Sequence, residues 1–83
     1  MTIDLHGFNV EEATATLINA LFSFRFDKYD DKLEIITGNG QGIIWNTVLD
    51  LLDEEKIFYQ TTAFYKIIIF KSDNPDLEIW DLE

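Results

Sequence analysis

Twice in this chain a short apolar–polar alternation runs into glycine and then into a stretch with helical spacing. That order constrains the fold more than any single residue does. Thr2-Ile3-Asp4-Leu5-His6 alternates as a half-buried strand does and stops at Gly7. Asn9 is placed to N-cap a helix, with Glu12 completing a capping box and Phe8 ahead of it as a hydrophobic staple. Val10, Ala13, Leu17, Leu21 and Phe24 recur at spacings of three and four, which predicts one buried stripe. Arg25 to Lys32 is the helix end and a loop, and Leu33-Glu34-Ile35-Ile36 is a second strand. Gly38-Asn39-Gly40-Gln41-Gly42 closes it, and Ile43 to Asp53 suits a second helix with Ile44, Val48, Leu51 and Leu52 inward. Asp53-Glu54-Glu55 opposes the dipole at a helix C-terminus and predicts a stop there.

A strand–helix–strand unit requires parallel strands and a right-handed crossover. Ile57–Thr62 and Tyr65–Phe70 then form a hairpin, which adds an antiparallel strand. The order β-α-β-α-β-β therefore predicts an α/β chain of the two-layer α+β sandwich type. Its four-stranded mixed sheet carries both helices on one face.

The 83 residues suffice for one domain, expected over 1–71, followed by an acidic tail over 72–83 that is broken by Pro75. A hydrophobic fraction of 47%, with seven Phe, supplies a bulky core and argues against disorder. The absence of cysteine excludes disulfides, a thiol nucleophile and thiolate metal sites, and a single His cannot build a multi-histidine zinc site. No metal and no cofactor is implied. No apolar run approaches the ~20 residues of a membrane span. The N-terminus lacks a basic–apolar–small pattern, so the expectation is a cytoplasmic protein with no membrane partner. The net charge of −10 weakens non-specific attraction to nucleic acid and to anionic lipid.

Alternation puts Asp4 and His6 on the face opposite Ile3 and Leu5, near the C-terminal end of the first strand, where open α/β sheets place ligands. A carboxylate beside an imidazole can orient it and form an acid–base unit, although an isolated D-x-H also fits a strand-end cap. The glycine run between strand and helix allows close backbone approach to an anion, and it equally fits a structural turn. It is neither a phosphate loop with a Gly-Lys-Ser/Thr ending nor a dinucleotide fingerprint. Both features end parallel strands, so they share one rim of the sheet.

Together, Ile3-Asp4-Leu5-His6-Gly7, Asn9-Val10-Glu11-Glu12-Ala13 and Thr37-Gly38-Asn39-Gly40 resemble the small MutS-related (Smr) domain family, over about Thr2 to Phe70. The resemblance implies a sheet like that of the C-terminal domain of translation initiation factor three, with strand order 1-2-4-3 and the fourth strand antiparallel. It also implies endonuclease activity on DNA or RNA, with Asp4 and His6 as the catalytic pair. Gly7, Thr37, Gly38, Asn39, Gly40, Gln41, Gly42 and Lys66 would then hold the nucleic acid. Family members usually carry Arg or Lys in the loop and on the next helix. Here Asn39, Gln41, Trp45 and Asn46 stand there, and no basic residue lies between Lys32 and Lys56.

Three readings follow. The first is an endonuclease acting on RNA more than DNA. The second is an inactive domain of the same fold that binds a protein or a ribosome-associated partner, and the third is a nucleotide-phosphate binder. On the open sheet face, Glu34, Ile36, Lys66, Ile68 and Phe70 are expected to join Asp4 and His6. Leu77, Ile79 and Trp80 of the tail are expected to cover the apolar part of that face, unless a homodimer covers it instead.

Overall fold

The computed structural model describes residues 1–38, 42–63 and 65–78. Its elements are β1 (Thr2–Asp4), α1 (Val10–Phe26), β2 (Lys32–Ile36), α2 (Ile43–Glu54), β3 (Gln60–Thr61), β4 (Lys66–Phe70), a 3-10 turn (Lys71–Asp73) and α3 (Pro75–Glu78). The four strands lie in the order β1-β2-β4-β3. β1 runs parallel to β2, and β4 runs antiparallel to both β2 and β3.

Two of the local signals that start α1 are satisfied as written. Glu12 N–H donates to Asn9 Oδ1 at 2.8 Å, and Asn9 N–H donates to Glu12 Oε1 at 3.0 Å. Ala13, Leu17, Leu21 and Phe24 are buried, joined by Ala20. Val10 departs from the expected stripe: it is 43% exposed, because the first turn of α1 sits at the rim just beyond the short β1.

Register sorts the sheet residues into two faces. Leu33, Ile35, Ile67 and Ile69 are fully buried and form one core with α1 and with Val48 and Leu52 of α2, so both helices cover the same face. The other face carries cross-strand rows of Asp4, Ile36 and Lys66, of Thr2, Glu34, Ile68 and Gln60, and of Lys32 and Phe70. Ile44 and Leu51, expected to be inward, are partly buried and packed on the core edge.

The hairpin is shorter than Ile57–Thr62 predicts. The Ile57 N–H donates to Leu52 O, finishing α2, and the Phe58 N–H donates to Asn74 Oδ1 at 2.7 Å. Those donors are lost to the ladder, so β3 shrinks to Gln60 and Thr61, with the Thr62 N–H donating to Lys66 O just beyond it. Asn74 is 5% exposed and also donates to Phe58 O and Phe70 O, which ties the chain after β4 back to the sheet edge.

Leu77 corrects the expectation for the tail. It is 3% exposed and belongs to the helix-side core, where α3 packs on α1. It does not cover the open sheet face. Ile79 and Trp80 lie outside the described residues. Lys71 is buried too, donating from Nζ to the Asp27 carbonyl and lying 4.7 Å from the Phe24 ring centroid.

Candidate active site

Leu5 anchors the turn that follows β1. Its side chain is fully buried, its N–H donates to Ile36 O at 2.7 Å, and its carbonyl accepts from Phe8 N–H. With Leu5 fixed inward, Asp4 and His6 point to the other side, and their side chains are 54% and 73% exposed. Gly7 has φ +80, the left-handed conformation that lets the chain leave the strand and enter the Asn9 cap.

Asp4 holds its neighbour with one oxygen. Its Oδ1 accepts the His6 backbone N–H at 3.0 Å and faces His6 Nδ1 at 3.3 Å. The backbone hydrogen bond from His6 is the main reason the Asp4 carboxyl sits below the usual carboxylate range; the side-chain bond and attraction to His6 add to it. An ionised carboxylate accepts and cannot donate, so the His6 tautomer this contact selects carries its proton on Nδ1. Nε2 is then left with a lone pair toward solvent.

Gly38, at φ +92, packs directly against His6. A Cβ added there would stand 3.1 Å from His6 Cβ and 3.6 Å from His6 Cα, so a side chain would strain the backbone and crowd the base of the His6 side chain. Thr37, 7% exposed, orients the start of the loop: its N–H and Oγ1 both reach Tyr65 O, at 3.4 and 3.1 Å. Gly42 caps α2 with φ +71 and no side-chain bond, and the first turn of α2 has no acidic residue. The first-turn backbone N–H groups of α2 therefore have no carboxylate from that turn competing for them. Asn39, Gly40 and Gln41 lie outside the described residues.

Lys66 shares the cross-strand row of Asp4 and Ile36 on the open face. Its ammonium is not free, because Glu34 Oε1 lies 3.4 Å from Nζ and Glu34 Oε2 lies 3.2 Å from Lys32 Nζ. The hydrogen bond from Lys32 first, and the charge of Lys66 second, lower the Glu34 carboxyl. The sequence placed Glu34 on this face and left its pairing with two cations unseen. It also gave no role to Tyr65, whose ring meets Trp45 edge-on with centroids 6.1 Å apart.

These features define a small two-layer α+β domain with an acid–imidazole pair at the carboxyl rim of a parallel strand pair. The chain belongs to the Smr domain family, whose model matches residues 3–65. No curated protein matches the chain. Three solved structures share the fold. The solution structure of the B3BP Smr domain has a TM-score of 0.73 at 24% identity, covering 83% of this chain and 75% of that one. The crystal structure of the human small-MutS related domain has a TM-score of 0.70 at 24% identity, covering 82% and 96%. The Smr domain of Thermus thermophilus MutS2 has a TM-score of 0.72 at 18% identity, covering 83% and 94%.

Proposed function

We propose that this domain binds RNA across the rim formed by His6, Gly7 and the 37–42 loop, and cleaves its phosphodiester backbone. The observation that carries the reading is the Asp4–His6 pair set against Gly38. His6 Nε2 takes the proton of a ribose 2′-hydroxyl, and the 2′-oxygen attacks the adjacent phosphorus. The bond from phosphorus to the 5′-oxygen breaks, and that oxygen takes a proton from the imidazolium. The products are a 2′,3′-cyclic phosphate and a 5′-hydroxyl. Asp4 stabilises the imidazolium through Nδ1, and backbone N–H groups near Gly38 and Gly42 supply donors for the phosphate oxygens.

An RNA carrying one 2′-deoxy sugar at the mapped scissile position tests the chemistry. Cleavage at that position is expected to stop while flanking positions remain susceptible. Continued cleavage there would exclude 2′-hydroxyl attack.

The cation supply sets the affinity. With Lys66 shared with Glu34, the slope of log affinity against log salt should correspond to on the order of one to three phosphates. Glu34→Gln removes a negative charge and frees both ammonium groups. It is expected to tighten RNA binding about three- to tenfold at low salt and to steepen that slope. An unchanged slope would show that Lys66 and Lys32 lie off the RNA path.

A second reading is a domain of the same fold without cleavage activity that docks on a protein. The net charge of −10 and the sharing of Lys66 with Glu34 favour it.

A further inference from the structure

The described residues place an aromatic pair at the same rim, and the cleavage chemistry above makes no use of it. Tyr65 directly precedes β4 and adopts φ +57, an unusual conformation for a bulky side chain. Thr37 fixes it there by directing both its N–H and its Oγ1 at the Tyr65 carbonyl. The Tyr65 residue stays 46% exposed. Behind it, Trp45 from the first turn of α2 is partly buried against the core and meets the tyrosine ring at 88°. Edge-to-face support of this kind fixes one ring and leaves a face of it for another partner. Thr37 is bonded to Gly38, and Gly38 touches His6, so Tyr65 and His6 are joined through the Thr37–Gly38 segment.

The charge pattern supplies the second half of the argument. No basic residue stands between Lys32 and Lys56, so the loop and the start of α2 offer no side-chain cation to a phosphate. Stacking on an aromatic ring is a source of nucleic-acid affinity that needs no cation and takes any base. It also needs the base to be unpaired, since bases in a duplex have no free face.

We propose that Tyr65, braced by Trp45, is a nucleobase-stacking subsite that takes one unpaired base next to the phosphate held at His6. This inference rests on the RNA-cleavage reading for the identity of the ligand. It makes the substrate single-stranded RNA, gripped by stacking more than by charge.

The test uses the full chain and a short single-stranded RNA containing 2-aminopurine, whose fluorescence is quenched when the base stacks. Titration is done with His6→Ala protein so that the RNA stays intact, and Tyr65→Leu and Tyr65→Phe are each added to that background. The expected result is quenching on binding, about tenfold weaker binding with Tyr65→Leu, and affinity within about twofold with Tyr65→Phe. A blunt duplex of the same sequence should bind about tenfold more weakly than the single strand. Matching urea midpoints for the Tyr65 variants and their parent show that the fold is intact. Binding without quenching, or equal affinity for Tyr65→Leu and its parent, would overturn the subsite. Cleavage by the wild-type protein is measured separately. Quenching that depends on Tyr65 with no cleavage would overturn the cleavage reading alone, whereas cleavage with Tyr65-independent binding would overturn the subsite alone.

Discussion

His6→Ala is expected to lower RNA cleavage by about 10²- to 10⁴-fold, the usual contribution of a positioned acid–base group. Stability should change by less than about 0.5 kcal/mol, because the side chain is 73% exposed and contacts mainly Asp4. RNA binding should weaken far less than cleavage does. Asp4→Asn should cost less than removal of the imidazole, since it leaves the base in place and removes its orientation and its counter-charge. The amide can still accept from the His6 N–H, so the turn keeps its local hydrogen bond. A His6→Ala protein that cleaves at the wild-type rate would end the catalytic assignment of the pair.

The largest effect on stability is expected at Phe24. It is fully buried near the end of α1, and the buried Lys71 lies over its ring. Truncation to alanine removes the ring, leaves a cavity in a small core and strips Lys71 of its aromatic cover. The expected cost is about 3–5 kcal/mol. A domain this size has a total stability of roughly 4–12 kcal/mol, so the loss takes between about a quarter and all of it. Chemical denaturation with wild type and Phe24→Leu as a milder comparison measures it. A loss under about 1 kcal/mol would mean that the core closes over the vacated space.

Much of the fold is legible in the sequence because its signals are local. The Asn9–Glu12 box, the spacing of Ala13, Leu17, Leu21 and Phe24, and the alternation in Leu33–Ile36 each depend on neighbours within a turn or a strand. What is not legible depends on distant partners. β3 loses its first residues because Asn74, 16 positions away, takes the Phe58 donor, and no propensity encodes that competition. Leu77 follows β4 closely enough to turn toward either sheet face, and packing with α1 decides the direction.

The candidate site divides the same way. Asp4 and His6 are brought together by strand alternation and by a turn two residues long, so their contact follows from the motif itself. The approach of Gly38 to His6 follows from the parallel pairing of β1 with β2, which the β-α-β order requires. The grip of Glu34 on Lys66 needs the antiparallel register of β2 with β4. The Trp45–Tyr65 pair needs α2 to start beside the residue that precedes the last strand. Both are products of tertiary assembly, which a linear pattern does not display.

RNA is expected to meet this domain at the rim where Asp4, His6 and Gly38 come together. Backbone amide chemical-shift mapping tests it most directly, using isotope-labelled His6→Ala protein titrated with short single-stranded RNA. The perturbations are expected to concentrate on residue 6, Gly7, Thr37, Gly38, Gly42 and Tyr65, with the solvent side of α1 around Phe22 unmoved. Perturbations centred on α1 with the rim silent would contradict it.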